Sequence, residues 1–536
     1  MNPSVLPEAY RHPYDYAAPY QKSVAYFSME FAVDQALKTY SGGLGFLAGS
    51  HMRAAYEEKQ NLIGIGMLWK LGYYDQVRNN DNAMAVQFRE KMYTFLQDTG
   101  ITFPLTIQGQ AVQIRAYFLP PQHFGTVPMF FLTTDTDGND ERARSISYRL
   151  YDSDPALKVA QCMVLGLGGA KLLDELGYEP DVYHFNEAHA VSAVFHLYQK
   201  WGRADRVRSR VVFTTHTPEE AGNEKHDFGF LEQMGFFAGL SVAQVRKLTG
   251  IGDSVFNHSL VALRLCRKAN AVSKLHGEVS RRMWDDYSGV PEITHVTNAQ
   301  NRRYWADPAL EQARLAGDVE AISARKKQLK QALFKTVADQ SGRLFDPNVL
   351  TLVWARRFAA YKRPDLLLAD DDRLRRILSN ERYPVQMIWA GKPYPFDFGA
   401  IDTFNRIFYR SHLHPTMAVL TGYELALSKL MKDGADLWLN TPIVTREASG
   451  TSGMTAAMNA GINVSTYDGW ICEFAEHGTN AFIVPVAPPE LHHEERDAHD
   501  REHLFRLLEE EIIPLYYERP ADWQQLVLRS MNDVNA

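Results

Sequence analysis

The chain has 536 residues, 45% of them hydrophobic, and a formal charge of −7, which allows roughly two to four domains with large cores. So mild a negative balance implies no broad basic face, and no nucleic acid partner is expected. Three cysteines, Cys162, Cys266 and Cys472, are far apart and odd in number, which suits buried thiols in a reducing compartment better than a disulfide frame.

The first twenty residues are rich in Pro and Tyr and lack a basic stretch followed by an apolar one, so no signal peptide is predicted. No run reaches the roughly 18–20 apolar residues that span a bilayer. A cytoplasmic protein without a membrane partner is the expectation. Residues 24–31 read as a short buried strand, and the turn 41–45 leads into a helix from about 46 to 58. Residues 129–134 read as a strand and 156–175 as an apolar helix. Strands follow at 181–185 and 210–215, each ending in polar residues, where open α/β sheets build their sites. Composition shifts after Asn301. Residues 307–335 are charged and helix-forming, with Lys and Arg crowded at 325–330, and they read as a solvated helix between two domains. Strands then come at 348–355, 385–390 and 436–440, and an amphipathic helix begins near residue 502. The alternation of strand and helix predicts α/β layers with parallel sheets.

Ser41-Gly42-Gly43-Leu44-Gly45 lies between a predicted strand and a predicted helix. Glycines there let backbone N–H groups approach an anion, and a helix N-terminus adds partial positive charge. A tight turn without a ligand has the same sequence. Gly450-Thr451-Ser452-Gly453 is a second such loop, opening a helix through Ala456, Ala457 and Met458, with Ser449 or Thr451 as an ordinary cap in the blander reading. Glu447, just before it, would repel a phosphate aimed at it and suits sugar hydroxyls better. Arg356, Arg357 and Lys362 follow the strand at 348–355, and guanidinium and ammonium groups at a strand's C-terminal end suit phosphate oxygens. A solvated basic face reads the same way. Two glycine loops and one basic cluster point together to phosphate.

His216 closes the strand at 210–215, either to orient a substrate or as a satisfied core histidine. His184, Glu187 and His189 have a spacing that a metal tolerates, but it fixes no third strong ligand, and no metal is expected. The same holds for His492, His493, Glu494 and His499, in a stretch that reads as a solvated loop. Gly166-Leu167-Gly168-Gly169 lies within an apolar helical run, so it reads as close helix packing and not as a dinucleotide turn.

YFSMEF at 26–31, SGGLG at 41–45, HTPEEAGNEKH at 216–226, VTN at 296–298, ARRFAAYKR at 355–363, AGK at 390–392 and EASGTSGM at 447–454 complete the pattern. Over about residues 24–468 the chain resembles the α-glucan (glycogen, starch, maltodextrin) phosphorylases in their short form. The resemblance implies a GT-B fold, two Rossmann-like α/β domains facing a central cleft. Residues 1–310 would be the N-terminal, acceptor-side domain with the glycine-rich phosphate loop, and 311–346 a helical linker. Residues 347–500 would be the donor and phosphate domain, and 501–536 a helix packing back on the first domain. Carried over residue by residue, Gly42, Gly43 and Leu44 match the loop whose backbone closes on phosphate. Arg357 and Lys362 match the pair that holds the substrate phosphate, with Arg356 at the neighbouring position. Tyr361 and Glu447 match groups on glucose hydroxyls, and His216 and Asn298 match residues near the 6-hydroxyl and the anomeric region. Ser449 and Gly450 match sugar contacts. Thr451, Ser452 and Gly453 match the cradle of the cofactor's phosphate, and Tyr423 a tyrosine beside that cofactor.

The resemblance breaks at Thr455, where the family places the lysine that joins pyridoxal phosphate through a C=N bond, and at Ala299-Gln300-Asn301, which follow VTN. A threonine has no amine. The expectation is therefore a retaining hexosyltransferase without covalent pyridoxal phosphate, non-covalent binding being left open. Its donor would be a sugar nucleotide or a sugar 1-phosphate and its acceptor a sugar or an α-glucan, with His216, Arg357, Lys362 and Glu447 as the catalytic set. An α-glucan phosphorylase and a non-catalytic glucan-binding relic are the alternatives. A homodimer is left open.

Overall fold

The structure, a computed structural model, describes residues 5–536; the reading of the first twenty residues therefore lies in part, at 1–4, outside the described residues. Two compact units divide the chain, Met1–Tyr74 with Phe88–Thr297 and Asp75–Gln87 with Asn298–Ala536.

The N-terminal unit is built on a nine-stranded sheet. Its strands are β1 (Val24–Phe27), β2 (Leu62–Met67), β3 (Gln97–Ile107), β4 (Gln110–Leu119), β5 (Met129–Thr133), β6 (Val182–Asn186), β7 (Val211–Thr214), β8 (Lys268–Ala271) and β9 (Ile293–His295). The order is β9-β8-β7-β6-β1-β2-β5-β4-β3, with parallel pairs from β9 to β5 and antiparallel pairs through β4 and β3. The progression outward from β1 reverses at β6, so the ends of β1, β6 and β7 meet at a switch point, the usual place for a ligand. Strand β1 stops at Phe27, short of the residue 31 expected, because Ser28 and Glu30 turn their side chains into buried hydrogen bonds. Helix α1 (Gly43–Glu57) begins inside the glycine loop, three residues before the expected start.

Helix α2 (Pro155–Glu175) is capped by Asp154, whose carboxylate accepts the N–H groups of Ala156 and Leu157. It is long and apolar enough by composition to cross a membrane, contrary to the expectation that no segment is, and most of it is packed inside the unit. Its glycines explain the packing. A Cβ at Gly166 would stand 2.2 Å from Ser192 Oγ and one at Gly169 2.5 Å from the Phe27 ring.

The C-terminal unit carries a six-stranded, all-parallel sheet of β10 (Leu350–Ala355), β11 (Val385–Ala390), β12 (Met417–Leu420), β13 (Leu437–Asn440), β14 (Ile462–Thr466) and β15 (Ala481–Val484). Every residue of β10 and β11 is buried, as continuous apolar runs require in a sheet covered on both faces. The order is β12-β11-β10-β13-β14-β15, the doubly wound arrangement whose switch point lies between β10 and β13. Helix α3 (Val319–Ser341) lays Leu333, Phe334 and Val337 against Val353, Ile388 and Trp438 of this core. The unit also carries α4 (Leu425–Gly434), α5 (Thr451–Met458), α6 (His493–Arg506) and α7 (Pro520–Val534) among its helices.

Four expectations are corrected here. The charged stretch at 307–335 is not a solvated linker. Lys326 donates to the carbonyls of Asp433 and Asn459, and Lys330 pairs with Asp436, so both lysines are buried in the C-terminal unit. The units divide after Thr297 and not near 310, and the hairpin within Asp75–Gln87 joins the C-terminal unit, where Gln76 Nε2 donates to the Gly391 carbonyl at 2.9 Å. Residues 493–499 form the start of α6, because a capping box at His492 and Glu495 gives that charged run a helical beginning. Finally, α7 packs on α3 and α5 of its own unit, where the expectation had it on the first domain.

Candidate functional site

At the C-terminal end of β10 the chain turns through Arg356 and Arg357 into a short helical turn, Ala360–Lys362. The backbone of Arg356 comes against Gly391 at the end of β11, where a Cβ would stand 1.9 Å from the Arg356 carbonyl oxygen. That approach holds the Arg356 side chain at the switch point. On the other side of the switch point, β13 leads to Glu447 and then to α5. Gly450, with φ +87°, makes the turn into the helix, a conformation that costs other residues dearly.

These pieces meet at one carboxylate oxygen. Glu447 Oε2 lies 3.0 Å from Arg356 Nη2 and accepts from Lys362 Nζ at 2.6 Å, with all three side chains largely buried. Burial pushes the Glu447 pKa upward, but Arg356 and Lys362, with Arg357 behind them, outweigh it and hold the carboxyl at about 2. Asp468 sits behind Glu447. Its Oδ2 accepts the Glu447 N–H at 2.9 Å and its Oδ1 the Gly469 N–H at 2.9 Å. Burial, and then the Glu447 charge, push Asp468 up to about 7. The two carboxyl groups are thus set apart: Glu447 ionised throughout the neutral range, Asp468 half protonated within it.

Around this cluster, buried donors lack partners among the described residues: Arg356 Nη1, Ser449 Oγ and Ser452 Oγ. Buried polar atoms are seldom left so. They surround the N-terminus of α5, whose first N–H groups have no acceptor within the helix, and together they make a set of donors suited to phosphate oxygens. The phosphate of pyridoxal phosphate would find its donors there. The covalent anchor does not fit: Thr455 is fully buried, has no amine, and donates its hydroxyl to the Ser452 carbonyl at 2.9 Å. Tyr423 donates to the Ala355 carbonyl at 3.0 Å, and burial raises its hydroxyl to about 12.

The N-terminal unit builds its own polar cluster at its switch point. Glu30 takes the N–H of Ser41 at 2.6 Å, that of Gly42 at 3.1 Å and the hydroxyls of Ser41 and Tyr151. The Gly42 N–H, expected to face a phosphate, is therefore already committed to a carboxylate. Gly43 and Leu44 stand at the start of α1, where their N–H groups have no acceptor within the helix. A Cβ at Gly42 or Gly43 would meet nothing within 4 Å, so protein packing is not what demands glycine there. His216 Nε2 bonds Asn186 Oδ1 at 2.7 Å, and its backbone N–H donates to Glu187 at 2.7 Å. Burial, followed by the neighbouring histidines His276, His189 and His184, pushes the imidazole down to about 3. His216 is therefore neutral, and orients hydrogen bonds instead of carrying a proton. Glu187 sits at φ +71°, a strain of about 1–3 kcal/mol that its carboxylate offsets by accepting from His216, Thr217 and Ala188.

Of the sequence-derived residues, Arg356, Lys362, Glu447, Ser449, Gly450, Ser452 and Gly453 fall around the C-terminal switch point. Gly453 packs against Asn463, whose Nδ2 donates to the Gly453 carbonyl at 3.0 Å. Tyr361 lies under the Lys362 ammonium at 4.7 Å. The two arginines differ in burial: Arg356 is the buried partner of Glu447, while Arg357 is exposed. Asn298, half buried, makes no hydrogen bond to this cluster among the described residues. His184, Glu187 and His189 do not converge, and among the described residues no group of acidic, His or Cys side chains could hold a metal. Sequence reasoning missed Asp468 and Glu30, whose only signal was an acidic residue beside a glycine turn or at a strand end.

A carbohydrate phosphorylase family profile matches residues 279–504. An uncharacterized protein of Methanocaldococcus jannaschii is 48% identical, over 85% of this chain and 86% of the relative. The maltodextrin phosphorylase of Thermococcus litoralis is 31% identical over 96% of this chain and 68% of the relative. The glycogen phosphorylase of Aquifex aeolicus is 30% identical over 97% of this chain and 84% of the relative.

Proposed function

The chain belongs to the carbohydrate phosphorylase family, and from that premise we propose that it is a retaining glucosyltransferase, moving a glucosyl unit between an α-glucan and phosphate. The observation that carries this reading is the set of unmet buried donors, Arg356 Nη1, Ser449 Oγ and Ser452 Oγ, beside the Arg356–Glu447–Lys362 cluster. In this reading Arg356 and Lys362 hold the phosphate on the sugar's first carbon and stabilise the charge that grows as that bond breaks. Glu447 keeps the two cations in place and offers its other oxygen to sugar hydroxyls. Arg357 adds positive field from the solvent side.

A second reading rests on the Ser452 hydroxyl and the α5 N-terminus as a separate seat for a second phosphate. A sugar nucleotide has one to place there, and its donor role remains the alternative. Thermal unfolding with glucose 1-phosphate, UDP-glucose, ADP-glucose and glucose tests both. Stabilisation by glucose 1-phosphate but not glucose supports the first reading. Stronger stabilisation by either nucleotide sugar transfers support to the second, and no stabilisation by any of the three phosphates contradicts both.

A further inference from the structure

A buried amide reaches the C-terminal switch point from far away in sequence. The hairpin that joins the C-terminal unit pairs Asp75–Arg78 with Met84–Gln87, and its Gln76 is 5% exposed. Gln76 Nε2 donates to the Gly391 carbonyl at 2.9 Å, and Gln76 Oε1 accepts the Gly422 N–H at 3.0 Å. A carbonyl on one side and an N–H on the other leave the amide a single orientation. One rigid group thus spans the end of β11 and the turn from β12 into α4. The rest of the hairpin is anchored separately. Arg78 Nη2 donates to the Val419 carbonyl at 2.6 Å, and its guanidinium lies 3.9 Å from the centre of the Phe408 ring. The Met84 N–H donates to Asn405 Oδ1 at 2.8 Å.

Each backbone group that Gln76 holds leads to Arg356. Gly391 is pressed against the Arg356 carbonyl, and the residue before it, Ala390, accepts the Arg356 N–H at 3.3 Å. Gly422 precedes Tyr423, whose hydroxyl donates to the carbonyl of Ala355, the residue before Arg356. The junction of Ala355 and Arg356 is therefore held from two sides, and Gln76 ties those sides together. We propose that Gln76 is a positioning residue for phosphate: acting through Gly391 and Tyr423, it fixes where the Arg356 guanidinium points. The proposal rests on the reading of Arg356 as a phosphate donor. That guanidinium is sensitive to its support, because Nη2 is committed to Glu447 while the buried Nη1 has no partner among the described residues. A shift at the end of β10 takes Nη1 off its phosphate oxygen, and bonds between a guanidinium and an anion are strongly directional. Replacing the amide by a thioether of similar length removes both of its hydrogen bonds and frees the two sides from each other. A carboxylate keeps an acceptor for Gly422 and loses the donor to Gly391.

The test is titration calorimetry of the full-length protein with inorganic phosphate, well below the melting transition, for the parent, Gln76→Met, Gln76→Glu and Arg78→Met. Melting temperatures are recorded on the same samples. Gln76→Met and Arg78→Met should both melt earlier than the parent, because each frees one anchor of the hairpin. Only the Gln76 variants should bind phosphate more weakly, by about tenfold or more, since misplacing a group by ~1 Å can forfeit about 10²-fold. Gln76→Glu, close to the parent in shape, should show this loss too, and it decides the matter if Gln76→Met does not fold. Parent-like phosphate affinity in a folded Gln76 variant, or an equal loss in Arg78→Met, would overturn the proposal and leave Gln76 as one more anchor of the hairpin. Either result refutes this inference alone, whereas a parent that binds no phosphate refutes the functional reading and this inference with it.

Discussion

Asp468 accepts the backbone N–H of Glu447 at 2.9 Å, so one carboxyl group positions the loop that carries another. The arrangement is pH-sensitive by construction. The folded-state pKa of Asp468, about 7, lies above its unfolded value of about 3.9. Its contribution to stability is therefore fully present below pH ~4 and lost as pH rises through about 7.

Asp468→Asn removes that titration while leaving an acceptor for one of the two N–H groups. Relative to the parent, the variant should gain stability between pH ~4 and ~7, by on the order of 4 kcal/mol, and stay level above that. Urea unfolding at a series of pH values measures it; a difference that does not change with pH would refute the assignment.

Glu447→Gln has the opposite sign. The folded-state carboxyl is held at about 2, so the stability it confers is present above pH ~4.3 and lost as pH falls toward 2. The variant should lose about 3 kcal/mol at neutral pH, because Arg356 and Lys362 are left buried without their carboxylate, and the gap should close in acid. Inorganic phosphate should restore more melting temperature to the variant than to the parent, since an anion replaces the lost charge.

Ser452→Ala separates a ligand seat from an ordinary packing position. Its hydroxyl is buried without a partner among the described residues, so removing it should leave the ligand-free melting temperature unchanged or higher. Phosphate-induced stabilisation should fall. Thermal unfolding with and without phosphate reads both, and a lower melting temperature with unchanged phosphate response would contradict the role.

Gly391→Ala tests the close approach that places Arg356. Its Cβ would fall 1.9 Å from the Arg356 carbonyl, so β10 and β11 must part at their ends. A loss of about 3 kcal/mol is expected, together with weaker glucose 1-phosphate binding. Parent-like stability would show that the two strand ends are not held together as described.

Much of this was legible in the chain. The apolar run at 385–390 is strand β11 to the residue, because both of its faces are covered and nothing competes with its pattern. The glycine turns at 41–45 and 450–453 were legible as the starts of helices. Partner choice was not legible. Arg356 and Arg357 are chemically alike, and only the alternation of a strand end decides which one turns inward. Lys326 and Lys330 read as solvated charge, because their burial depends on carbonyls and a carboxylate far away in sequence. Asp468 and Glu30 bond backbone N–H groups, and such contacts leave no periodic trace.

Phosphorus NMR of the purified protein with maltodextrin and inorganic phosphate tests the central claim most directly. The account predicts that the phosphate signal declines as an α-glucose 1-phosphate signal grows, and that Arg356→Met and Lys362→Met abolish the conversion. An unchanged phosphate signal, with nucleotide sugars as donors equally inert, would contradict it.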